Sequence, residues 1–277
     1  MKTFTEQELN RILDNHKLWL SSNGKNGERA DFSNAYLHSA NLLAEDLSYA
    51  NFRYADLRFA KLRNSTLNFA DLSFANLCSA NLSSADLNSA KLISASLDSA
   101  NLSYSDLNSA NLSNADLRNA DLSSAKLNSA NLDSATLNSA DLSYANLSFA
   151  NLRNAKSNSA NLRYTELDSA DLRSAKLISA NLDSANLRYA YLSNTDLRSA
   201  NLNSANLRYA NLSTANLSNT NLHSADLRYA DLSFVNLDSA DLLFADLSFA
   251  DLSFANLHNT DLRYAKLDSA DLDFAEF

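Results

Sequence analysis

DLRYADLSFVNLDSADLLFADLSFA, residues 226–250, places a leucine at every fifth position and closes each five-residue unit with alanine or valine. The same beat runs from Asp31 to Glu276, in units such as DLSFA, NLDSA and DLRYA. Leucine or phenylalanine holds its slot from Phe32 to Phe277, and only Ser157 breaks the series. The position two residues before the leucine is mostly alanine, relieved by Ser65, Ser105, Thr165, Thr195, Thr220, Val235 and Thr260, with Glu45 as the outlier.

An α-helix advances about 500° over five residues and would scatter the leucines around its circumference, leaving no stripe to bury. A straight strand fails too, because an odd period sends successive leucines to opposite faces. The pattern works if the chain turns a corner in every unit. Alanine and leucine then share the inward face, the Asp or Asn between them points out, and the last two residues form the corner. Four corners close a coil of about twenty residues, and stacked coils pair as parallel strands about 4.8 Å apart.

The A(D/N)LxA unit, repeated over about nine-tenths of the chain, resembles the pentapeptide-repeat family. The resemblance implies an all-β fold, a right-handed four-sided parallel β-helix, here of about twelve coils over residues 31–277. It also brings dimerisation into view, and the role of a DNA mimic that binds gyrase, as in quinolone-resistance proteins. The chain departs from much of the family in having no glycine in its repeats, with Ser, Asn, Tyr or Phe at the second corner position.

An open coil exposes apolar side chains and unpaired backbone, so an end needs a cover. Residues 1–30 read as an N-terminal amphipathic helical cap. Thr5 and Glu8 have capping-box spacing, Phe4 and Leu9 that of a hydrophobic staple, and Leu9, Ile12, Leu13, His16, Trp19 and Leu20 recur at helical intervals before Gly24. At the other end DLDFAEF leaves Phe277 in a leucine slot, and an end-to-end homodimer through Phe274 and Phe277 would cover that edge.

The formal charge of −9 disfavours nucleic acid or anionic membranes as partners. One cysteine, Cys78, allows no internal disulfide framework, and neither a signal-peptide core nor a spanning apolar run is visible, so the expectation is a soluble cytoplasmic protein. Catalysis lacks a motif. His16, His38, His223 and His258 have no metal-ligand spacing, phosphate-cradling glycines are missing, and the serines sit at corners where a hydroxyl can bond local backbone. The expectation is a non-enzymatic protein with no cofactor.

Two surface patterns remain. Arg188, Arg208 and Arg228, spaced by twenty, stack beside Tyr189, Tyr209 and Tyr229, and a solvated ladder is favoured over a nucleic-acid stripe because three arginines neutralise few phosphates. Residues 231–277 hold ten acids against only Arg263 and Lys266. Asp241, Asp246, Asp251 and Asp261, with Phe244, Phe249, Phe254 and Phe274, mark this acidic, aromatic end as the preferred contact for a protein partner. The expected function is a rigid protein-binding scaffold. The alternatives are a DNA-mimicking regulator of a DNA-binding enzyme such as a type II topoisomerase, and a structural rod. Ser157, stacked between Leu137 and Leu177 with Lys156 and Lys176 outside, reads as a tolerated gap or local distortion rather than an anion site.

Overall fold

A computed structural model describes residues 1–277. Strand β1 (Lys2–Thr3) and helix α1 (Glu6–Ser21) precede strand β2 (Ala35–Tyr36), which pairs parallel with β1. From Asp31 onward every outward residue forms a parallel bridge to the residue twenty positions later, through to Asn256 and Glu276. Twenty residues are four units, so each coil has four sides and rests on the next through one short bridge per side.

The backbone hydrogen bonds explain why this unit repeats. Within a unit, the leucine N–H donates to the next coil (Leu57 to the Asn76 carbonyl, 2.7 Å) and the outward residue donates to the previous one (Asp56 to the Ala35 carbonyl, 2.9 Å). The second corner residue also donates forward (Tyr54 to the Ser73 carbonyl, 3.2 Å), and the alanine closes the turn (Ala55 to the Phe52 carbonyl, 3.0 Å). Where the outward slot holds Asp or Asn, the remaining N–H, at the first corner position, generally donates to that side chain, as from Ser33 to Asp31 at 3.0 Å and from Ser253 to Asp251 at 2.9 Å. Asp and Asn therefore dominate the outward slot because their oxygen satisfies a backbone donor that no carbonyl reaches.

Every second corner residue from Asn34 to Phe274 has a φ between 54° and 64°. Positive φ at the third turn residue alone is the type II signature, usually a glycine position. Here the strain falls on Ser, Asn, Tyr and Phe, and on Ala44 and Thr214, at roughly 1 kcal/mol or more each. The coil-to-coil bonds on both sides of the corner hold it.

Inside, leucine and alanine columns form one cluster of 84 buried residues. Polar substitutes in the alanine slot are satisfied. Ser65, Ser105 and Thr220 donate to a leucine carbonyl three residues back, and Thr165 and Thr195 to one in the preceding coil. The corner serines behave differently from expectation: Ser103, Ser123 and Ser233, for example, donate to the preceding Asn or Asp side chain rather than to backbone. Around Ser157 the coil is undistorted, its N–H donating to the Lys176 carbonyl at 2.7 Å, while its buried hydroxyl bonds to no protein group.

At the amino end the Thr5 N–H donates to Glu8 (2.8 Å) and the Glu8 N–H to the Thr5 hydroxyl (3.2 Å), a capping box. Phe4, Leu9, Ile12 and Leu13 pack on the core, and the Phe4 ring meets Phe32 edge-on at 6.0 Å. The chain then doubles back so closely over α1 that a Cβ on Gly27 would lie 2.2 Å from the Asn15 carbonyl oxygen. Strand β1, which adds an edge pairing to the first coil, has no signal in the sequence.

Candidate functional site

A five-residue step moves the chain to the next side of the coil, so residues close in sequence separate in space. Asp241 and Asp261 bridge in one column, Asp246 lies in a second beside Lys266, and Asp251 in a third between Asp231 and Asp271. The acidic end is therefore not one patch, and its aromatics divide likewise. Phe244 stacks on Tyr264 (5.1 Å), Phe249 on Tyr229 (4.9 Å), and Phe254 between Phe234 (4.7 Å) and Phe274 (4.9 Å). Phe277 is exposed and belongs to none of these stacks.

These columns differ in how their charge is met. Asp261 is bound by Arg263 at 2.7 Å, and that guanidinium lowers its carboxyl pKa to about 2. Asp246 faces Lys266 at 3.5 Å and Arg228 at 3.9 Å; burial opposes its ionisation, but the Ser248 hydroxyl and N–H with these cations bring its pKa below the ordinary value. By contrast Asp231, Asp251 and Asp271 form a bridged column whose ion-pairing range holds no cation. At the corner beside it runs the exposed Phe234, Phe254 and Phe274 stack. Sequence reasoning missed Asp231, Asp271 and Phe234 as members of this set, although twenty-residue spacing carries the signal.

That spacing does assemble the arginine and tyrosine ladder. Tyr189, Tyr209, Tyr229 and Phe249 form one continuous stack, with Arg188 4.5 Å from the Tyr189 centroid and Arg208 5.5 Å from that of Tyr209. Its charge is largely met within the chain. Arg228 pairs with Asp226 at 2.5 Å, and Arg208 lies 3.9 Å from the same carboxylate.

Glu45, unlike the alanines it replaces, is only half-buried, and with Asp46, Ala44, Leu13, Lys17, Leu20 and Ser21 it lines a cleft of about 460 Å³ between α1 and the coil. Lys156 and Lys176 bridge in one exposed column outside Ser157, so lysines and serine point to opposite sides of the wall. No group of three His, Cys, Asp or Glu side chains is placed to hold a metal ion, and no helix is long and apolar enough to cross a membrane.

Comparison with known proteins follows the repeat. The family model described as "Pentapeptide repeats (8 copies)" matches residues 30–68, 70–108, 100–138, 120–156, 140–177, 180–219, 205–242, 215–253 and 240–277. Among solved structures the chain is similar to HetL of the cyanobacterium Nostoc sp. strain PCC 7120, a pentapeptide repeat protein involved in heterocyst differentiation regulation. Identity is 30%, coverage 98% of this chain and 96% of that one, and the TM-score 0.44. It is also similar to QnrB1, a plasmid-mediated fluoroquinolone resistance protein (22% identity, 63% and 84% coverage, TM-score 0.47). A third is Rfr23 of the cyanobacterium Cyanothece 51142 (35% identity, 35% and 63% coverage, TM-score 0.26). Comparison with curated proteins gives no match.

Proposed function

The chain belongs to the pentapeptide-repeat family, and from that premise we propose that it is a non-enzymatic cytoplasmic scaffold that binds a protein partner. In this reading a right-handed four-sided β-helix, covered by the cap of residues 1–30, holds the contact residues rigidly. The partner presents a basic surface with apolar side chains, and it docks along Asp231, Asp251 and Asp271 and the neighbouring Phe234, Phe254 and Phe274. One observation carries the proposal: an exposed, stacked phenylalanine column runs beside an aspartate column with no cation of its own chain. Ordered rings bind at low entropic cost, and unpaired carboxylates await a complementary charge.

DNA mimicry toward a topoisomerase is the weaker reading, because it needs unscreened charge along the shaft. Asp226, Asp246 and Asp261 are instead held by arginine or lysine. The test is capture from the native host by the wild-type chain and by a variant with Asp231, Asp251 and Asp271 changed to Asn, beside one with Asp116 and Asp196 so changed. A protein that binds the wild type and the second variant but not the first supports the scaffold. Equal capture by all three overturns the assigned face, and inhibition of gyrase supercoiling at comparable concentrations would favour mimicry.

A further inference from the structure

Three cations converge on one groove near the capped end of this acidic chain. Arg29 closes the cap segment, Arg53 occupies a first corner position in the second coil, and Lys91 stands in an outward slot two coils beyond Asn51. All three open on a groove of about 260 Å³, walled by Tyr49 and Phe69 and lined also by Asn51 and Asp71. Three cations thus face one carboxylate. Arg53 is the one that Asp71 holds, at 3.3 Å, whereas Arg29 and Lys91 have no carboxylate within ion-pairing range. Asp31, one coil earlier in the same column, is engaged by the Asn51 amide at 2.8 Å.

The wall of the groove is aromatic. Tyr49 and Phe69 stack at 5.1 Å with planes 7° apart, and Trp19 meets Tyr49 at 6.2 Å and 72°. Tyr49 and Phe69 are each about half exposed, so the stack leaves aromatic surface free for a ligand. The groove therefore sets cationic side chains beside an aromatic wall against which a planar ring can pack. Its length from Asn51 to Lys91 is two coil steps, about 10 Å.

We propose that this groove binds a small planar aromatic anion of the nucleoside phosphate class, with the phosphate between Arg29 and Lys91 and the base against Tyr49 and Phe69. The site is at the opposite end of the solenoid from the aspartate column and stands independently of the scaffold reading.

Equilibrium dialysis of the full chain against labelled ADP, inorganic phosphate and adenosine tests it. ADP is expected to be retained saturably, and more strongly than either fragment. Changing Arg29 and Lys91 together to Gln should weaken retention at least about tenfold, since charge-assisted bonds to phosphate are the strong ones. Arg118→Gln, on an arginine remote from the groove and paired with Asp116, should leave retention unchanged. Far-UV circular dichroism of each variant checks the fold. No retention of ADP, or retention that survives the double substitution in a folded variant, overturns the site. Phosphate bound as tightly as ADP overturns the role of the ring wall.

Discussion

The Nδ1 atom of buried His16 accepts the backbone N–H of Ala30 at 3.1 Å, tying the middle of α1 to the residue just before the first coil. That bond requires an unprotonated Nδ1, so the docked cap contains a neutral ring. Burial pulls the His16 pKa below its ordinary value and Arg29 adds to this, against the Asp46 carboxylate and the Ser48 backbone.

The sign of the pH dependence follows. A histidine whose folded pKa is depressed contributes stability that is complete above its unfolded value, about 6.5, and is lost as pH falls from there toward the folded pKa. Trp19, the only tryptophan, stacks on His16 at 5.8 Å and reports the cap directly. Urea unfolding followed by Trp19 fluorescence is expected to shift to a lower midpoint between about pH 7.5 and 5, with a smaller shift in His16→Gln. An unaltered pH profile in the variant would refute the link.

Thr214 is a β-branched residue at a corner where φ is 61°, the least tolerant chemistry for that backbone. Asparagine enters the left-handed region more readily and retains a polar group beside Asn194, which now accepts the Thr214 hydroxyl at 2.9 Å. Thr214→Asn is therefore expected to stabilise the chain by about 0.5–1 kcal/mol in chemical denaturation. A loss of stability would mean that the hydroxyl contact outweighs the strain.

Ser157 occupies a leucine slot in an otherwise regular coil, between fully buried Leu137 and Leu177. Refilling the slot restores apolar burial without disturbing a side-chain hydrogen bond. Ser157→Leu is expected to raise stability by about 1.5–3 kcal/mol while partner capture is retained. Lower stability together with lost capture would make Ser157 part of a site.

The coil was legible because a period of five forces a corner in every unit and because alanine and leucine each keep one slot. The capping box was equally local, resting on Thr5 and Glu8 alone. What escaped sequence reading depends on contacts between coils. Asp246 and Asp251 are five residues apart yet lie on different sides, and only the second lacks a cation. Arg228 looked available until Asp226, two residues away, was found holding it. The Tyr49 and Arg29 groove joins the cap to four coils and has no contiguous motif.

The aspartate column itself provides the last test. Carboxylates in consecutive coils sit about 4.8 Å apart and repel, and like charges directly opposite in a sheet destabilise it. Elsewhere the same slot holds asparagines that bond along the column, Asn201 to Asn181 and Asn221 to Asn201, both at 3.1 Å. Asparagine also keeps the side-chain oxygen that accepts the first corner N–H, as Asn51 does from Arg53. Asp251→Asn should thus keep the local turn, relieve repulsion from Asp231 and Asp271, and stabilise the fold by about 0.5–1 kcal/mol. If the column exists for a basic partner, the same substitution weakens capture as it stabilises the chain, a trade expected of a site and not of an inert surface. A variant that gains stability and captures the partner undiminished would assign this column to solubility alone.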